Sequence, residues 1–303
     1  MFGRRKDGKR VKNLNIIDKA EPFFMPMRID AVNYANVKVV CDGMDKFVTE
    51  QNKKDNNIGY MHIVIASIVR VLYLREKLNR FIMNGIIYQR NGIYISMDIK
   101  KPLTDDGEII TLKFPFKGTE SLFEVQKIVD DEIKKNLTKN AQEHTTTKSA
   151  EKLTRLPAWM LRIAMRFVRF CDRHGILTGL LLKASPFHTS CFLTNLKSLK
   201  LNYIYHHLYN FGTTSMFISM GKEQQEPIVL KDGTLDVAKI MNLGFSLDER
   251  VADGYYMGKS LRMFEKFLHN PELLTQSLPP KEPEQTKKRK QKKSKEKKKK
   301  PTK

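Results

Sequence analysis

The stretch from Met61 to Lys100 limits the possible folds more than any other part of this chain. Residues 61–74, MHIVIASIVRVLYL, are apolar on most faces of a helix, so the helix they predict belongs in an interior rather than on a surface. The following run, FIMNGIIYQRNGIYISMDIK, sets Asn84-Gly85 and Asn91-Gly92 between segments rich in β-branched and aromatic residues. Asn-Gly is the strongest short hairpin signal, because both central residues of a type I′ turn take positive φ. A buried helix running into successive strands reads as a mixed α/β arrangement.

The flanking segments extend that pattern. Met44, Phe47, Val48 and Gln51 fit a short helix, Ile109 to Phe116 a strand, and Thr119 to Asn136 a helix with Leu122, Val125, Val129 and Ile133 on one face. Residues 137–152 are polar and read as a loop. The next segment places Leu156, Met160, Ile163, Phe167 and Phe170 at helical spacing, with Arg162, Arg166, Arg169 and Arg173 opposite. A basic amphipathic helix of this kind can lie on a membrane surface. The more ordinary expectation is that its apolar stripe packs on its own protein. Strands are expected at Ser190 to Leu196, Thr213 to Met220 and Ile240 to Leu247, then a helix from Tyr255 to His269.

Charge divides the chain differently. The formal net charge is +22 over 303 residues. Residues 281–303 hold thirteen Lys or Arg against three Glu, and residues 1–12 hold six basic residues against one acid, so the intervening body is only mildly basic. The tail from Pro279 has no apolar residue to anchor it and is expected to be disordered. It suits a polyanion such as nucleic acid, or an anionic membrane, or serves as a solubilising extension. The reading is therefore a basic arm at 1–24, a folded domain at 25–278 and a Lys-rich tail at 279–303. No window approaches eighteen uninterrupted apolar residues, so no transmembrane segment is expected. Cys41, Cys171 and Cys191 show neither a disulfide framework nor metal spacing, which suits a reducing compartment, with cytoplasm the default.

Several chemical motifs are missing: a GxxxxGK[ST] phosphate loop, GxGxxG after a strand, HExxH and GxSxG. The seven histidines do not pair with Cys or carboxylates at metal spacing, so no metal is expected. Two segments stand out instead. Residues 246–274 run from a strand through Asp248-Glu249-Arg250 to Asp253-Gly254 and an amphipathic helix. Residues 184–199 carry His188 and Ser190, two apart and so on one face if the segment is a strand.

Residues 246–274 resemble the ending of acyltransferase catalytic domains from 2-oxo acid dehydrogenase complexes, and of chloramphenicol acetyltransferase, where a strand leads through HxxxDG into a helix. The helix and hairpin stretch YMHIVIASIVRVLYLREKLNRFIMNGIIYQRNGIYISMDI, the strand SCFLTNLKSL and the strand TTSMFISMGK are similar to further elements of that family, in the same order. The resemblance covers about residues 25–275. It implies a mixed β-sheet with flanking helices in a two-layer sandwich, an α/β fold of the α+β type. It also implies a homotrimer whose active sites lie between subunits, and a coenzyme A thioester as acyl donor. In that family the motif histidine is the general base towards a thiol, and a Ser or Thr hydroxyl on the preceding strand bonds the oxyanion. Carried onto this sequence, the hydroxyl is Ser190, the motif aspartate and glycine are Asp253 and Gly254, and the histidine position holds Glu249.

That replacement matters quantitatively. Moving a proton from a thiol near pKa ~8.5 costs about 2.7 kcal/mol to a free imidazole and about 5.7 kcal/mol to a free carboxylate. Burial would have to raise Glu249 for it to serve as a base, and Arg250 would oppose this if it turned inward. His188 is an alternative base, or an imidazole that simply bonds a neighbour. Asp253 and Gly254 also fit a structural part, fixing a turn and starting a helix tightly, and Ser190 fits a hydroxyl that satisfies a backbone group. The match begins within the first thirty residues, so neither a lipoyl domain nor a covalently attached lipoyl group is expected. Three functions stay open: a stand-alone acyltransferase, a non-catalytic trimeric scaffold of the same fold, and an anion-binding protein working through residues 281–303.

Overall fold

The computed structural model describes residues 5–101, 108–137 and 156–281. Residues 137–152, read as a loop, and the Lys-rich tail beyond Lys281 lie outside the described residues, save Leu137. The N-terminal basic segment contributes strand β1 (Gly8–Arg10) and helix α1 (Ile16–Phe24). Then follow β2 (Val32–Val40), α2 (Asp42–Asn52), α3 (Tyr60–Leu74), β3 (Arg80–Met83), β4 (Ile86–Arg90), β5 (Ile93–Lys101), β6 (Glu108–Phe116) and α4 (Leu122–Leu137). The second half holds α5 (Ala158–Arg173), α6 (Gly179–Ala184), β7 (Cys191–Asn195), β8 (Met216–Val229), β9 (Leu235–Asp248) and α7 (Gly254–His269).

Six strands form one mixed sheet in the order β2-β9-β8-β7-β5-β6, in which β7 runs parallel to both β5 and β8. Three more form an antiparallel sheet in the order β1-β4-β3. α3 is buried along nearly its whole length and packs against α4 and α7, as its all-round apolar sequence requires. Its side chains join those of β5, β6, β8 and β9 in a single large core that includes Ile63, Ile68, Phe114, Ile218 and Leu243.

The two Asn-Gly pairs behave differently. Asn84 (φ 52°) and Gly85 (φ 70°) turn β3 into β4, with Met83 opposite Ile86, as the hairpin reading expects. Asn91-Gly92 does not make a hairpin. Both edges of β4 are already taken, one by β3 and the other by β1, with Gly8 opposite Arg90. The chain therefore crosses to the other sheet, and Asn91 bonds backward to the N-terminal segment, its main-chain N–H donating to Asp7 at 2.9 Å.

β8 and β9 are each 14 residues long, well beyond the apolar halves that the sequence reading marked. Their outer halves alternate polar residues or carry exposed Val229, Leu235 and Val237, so no buried face announces them. The expectation that the α5 stripe packs on its own protein fails. Trp159, Ile163 and Phe167 are exposed, and it is Leu161, Ala164, Val168 and buried Cys171 that face inward.

Candidate functional site

Glu249 stands in a short 3-10 turn, Glu249–Val251, where β9 gives way to α7. The turn is set by Asp248, fully buried, whose carboxylate caps it and accepts two hydrogen bonds from the Arg250 guanidinium at 2.8 and 2.7 Å. Arg250 also donates to the Met25 carbonyl at 2.6 Å. The pair neutralises both charges two residues apart and ties the turn to the end of α1. Arg250 thus faces Asp248 and leaves Glu249 free of it. Glu249 is half-buried, and its carboxylate accepts from the Asn33 amide on β2 at 2.6 Å.

The surroundings of Glu249 are acidic. Burial, then the charges of Asp18, Glu249, Asp253 and Asp248, push the Glu21 carboxyl of α1 above its usual range. Asp253 is the N-cap of α7: its carboxylate accepts from the Tyr256 main-chain N–H at 2.8 Å. That bond holds its pKa below the ordinary value, helped by Lys77 at 3.7 Å. Gly254 is the first residue of α7, as the sequence reading has it, and a Cβ built on it would meet nothing within 4 Å outside its own helix.

Ser190 and His188 lie just before β7. The Ser190 hydroxyl is buried and accepts from the Tyr94 main-chain N–H at 3.0 Å, while the Ser190 N–H donates to the Tyr94 carbonyl at 2.9 Å. It forms part of the join between this segment and β5. His188 is also buried, its Nδ1 2.7 Å from the Ser185 hydroxyl. Its Nε2 lies 3.2 Å from Asp172 Oδ2, but out of line for a good hydrogen bond. Burial outweighs the pull of Asp172 and holds His188 below the ordinary imidazole value. The structure brings His188 together with Asp172 and Ser185, and Glu249 together with Asn33. Within one chain no hydrogen bond among the described residues links Glu249, Ser190 and His188.

Sequence reasoning missed the residue at the centre of the second cluster. Asp172 accepts from Arg5 at 3.0 Å, and Arg5 in turn chelates Asp7 at 2.9 and 2.8 Å. Burial alone would raise Asp172, yet His188 and Arg5 together keep it below the usual carboxylate range. The available signal was that Asp172 is the sole acid in the strongly basic stretch of α5. Nearby, Arg28 is buried and donates to the carbonyls of Tyr209, Asn210 and Ile82, with its Nε left unpartnered. Burial lowers its pKa to about 10. Arg28, Arg169, Arg173 and Arg250 wall an open cavity of about 480 Å³ between α1, the β3–β4 turn and α5.

Comparison with known proteins gives these elements a common frame. Residues 212–276, which include β8, β9 and α7, match the family model of the 2-oxoacid dehydrogenases acyltransferase (catalytic domain). Sequence comparison with curated proteins finds no match. Among solved structures, a probable dihydrolipoamide acetyltransferase from Listeria monocytogenes 4b F2365 superposes with a TM-score of 0.54 at 14% identity, covering 90% of this chain and 99% of that one. A truncated catalytic core of the 2-oxoacid dehydrogenase multienzyme complex from Thermoplasma acidophilum gives 0.51 at 13% identity, covering 87% and 99%. A chloramphenicol acetyltransferase gives 0.50 at 12%, covering 86% and 99%. The chain shares the fold of the dihydrolipoamide and chloramphenicol acetyltransferases, and its residues 212–276 are similar to the 2-oxoacid dehydrogenases acyltransferase catalytic domain.

Proposed function

We propose that this chain is a non-catalytic relative of the acyltransferases, a trimeric scaffold that binds a coenzyme A-type thioester or a related acyl carrier without transferring its acyl group. One feature carries the reading: Glu249, which the resemblance sets at the place of the family's basic histidine, is a half-buried carboxylate. Burial and the charges of Asp18, Glu249, Asp253 and Asp248 raise the Glu21 carboxyl of α1, so negative charge gathers at this end of the site. Taking a thiol proton onto an ordinary carboxylate costs about 5.7 kcal/mol, against about 2.7 kcal/mol onto the imidazole that the family uses, so the replacement opposes the step. The other two candidate groups are engaged elsewhere, Ser190 with the β5 backbone and His188 with Ser185 and Asp172.

The opposing reading is transfer with Glu249 as base, Ser190 as oxyanion donor and Asp253 organising the turn. It draws on the open space in front of Gly254, which leaves room for an acceptor or for a neighbouring subunit that would exclude water. Thiol release from acetyl-CoA and longer acyl-CoA esters separates the two. The scaffold reading expects no release above the protein-free rate from the wild type, and binding of coenzyme A or acyl-CoA seen as a ligand-dependent rise in melting temperature. Turnover by the wild type that drops roughly a hundredfold in Glu249→Gln would overturn it. Unchanged melting temperature with coenzyme A, acyl-CoA and dihydrolipoamide alike would remove the binding half of the proposal.

A further inference from the structure

α5 presents three faces to three environments. Leu161, Ala164, Met165 and Val168 are half-buried and Cys171 and Asp172 fully buried, which fixes the inward face. A second face carries Trp159 (63% exposed), Ile163 (57%), Phe167 (66%) and Phe170 (47%), spaced at three and four residues so that they form one continuous apolar ridge. Beside the ridge runs a row of exposed arginines, Arg162, Arg166, Arg169 and Arg173. Exposed aromatic side chains in a continuous row are unfavourable in water and mark a contact surface. The neighbouring cations specify its sign.

We propose that α5 is a peripheral membrane-docking helix, which lays its Trp159–Phe170 ridge into the headgroup region of an anionic bilayer while the arginine row meets lipid phosphates. No helix among the described residues is long and apolar enough to cross a membrane, so the contact is interfacial. Three features favour this occupant over a second copy of the chain. A second copy paired on this ridge would bring one exposed arginine row against another, whereas an anionic surface attracts the row. Trp, the residue that best suits the boundary between acyl chains and headgroups, lies on the ridge. Arg169 and Arg173 also wall the 480 Å³ cavity together with Arg250 and buried Arg28, whose guanidinium bonds to carbonyl groups, against one lining carboxylate, Asp172. The cavity is therefore electropositive and suits a phosphate brought to it by the surface.

Trp159 is the single tryptophan, so the fluorescence of the full chain reports on this helix alone. Vesicles of phosphatidylcholine with phosphatidylserine should blue-shift its emission, and brominated acyl chains should quench it. Pure phosphatidylcholine should do much less, and raised salt should weaken the effect. Ile163→Glu and Phe167→Glu should each lower partitioning roughly tenfold, and the double variant should abolish the shift while keeping the native melting temperature. Replacing the four arginines by Gln should remove the preference for anionic lipid. The proposal fails if anionic vesicles leave the emission unchanged at low salt. It fails equally if the blue shift follows protein concentration without lipid, which would assign the ridge to self-association. Vesicle binding that survives Ile163→Glu/Phe167→Glu would assign it to residues 281–303.

Discussion

At the scale of single residues, the buried cluster of Arg5, Asp172 and His188 shows how a polar group in a core is tolerated only with its partners. Arg5 and Asp172 have side chains 1% and 4% exposed, so each charge depends on the other for compensation. Asp172→Ala should therefore cost about 3 kcal/mol of stability in urea unfolding, more than a surface acid on the same helix would. Arg5→Ala combined with Asp172→Ala should cost less than the sum of the two, because the second change no longer strands a charge. His188 adds a pH dependence with a definite sign. Its folded-state pKa lies below the unfolded value, so the unfolded chain takes up the proton first as pH falls. Stability from this group is fully present above about pH 6.5 and declines below it, until the lowered folded value is passed. Asp172, also lowered, loses its contribution in a later window, below about pH 4. Melting temperature measured from pH 7.5 to 3 should show both phases, and His188→Asn should erase the first and shrink the second, leaving Arg5 alone to hold Asp172 ionised.

Secondary-structure elements show where a local signal is sufficient and where it fails. α7 starts where the sequence places Asp253, because that carboxylate satisfies an N–H that the first helical turn leaves open. Asp253→Ala should lower stability by about 1 kcal/mol, a fall of roughly 2–4 °C in melting temperature, whatever its effect on ligand binding. Asn84-Gly85 needs only its own φ angles to make a hairpin. Asn91-Gly92 carries the same local preference but lies beside a strand whose free edge has been claimed by residues more than eighty positions earlier. For α5, the spacing of apolar residues identifies a helix, but not which of its two apolar faces turns inward. That choice was made by Asp172, held by Arg5 on one side and facing His188 on the other, and the aromatic face was left outside.

On the scale of the whole molecule, the sequence by itself determined the layered α/β plan. The buried α3, the β3–β4 hairpin, the amphipathic α4 and the strand–turn–helix ending at α7 each follow from periodicity and turn chemistry acting within a few residues. Their order was enough to reveal the resemblance to acyltransferases. Tertiary structure alone decided what surrounds each candidate side chain. That Ser190 bonds Tyr94, that Arg250 turns to Asp248 and Met25, that Glu249 meets Asn33 and the acids of α1, and that the N-terminal basic segment enters the fold through Arg5 and β1 all depend on contacts between residues far apart in the chain. Desolvation and charge pairing act through space, and a linear pattern of residue types carries no record of which distant groups will share a pocket.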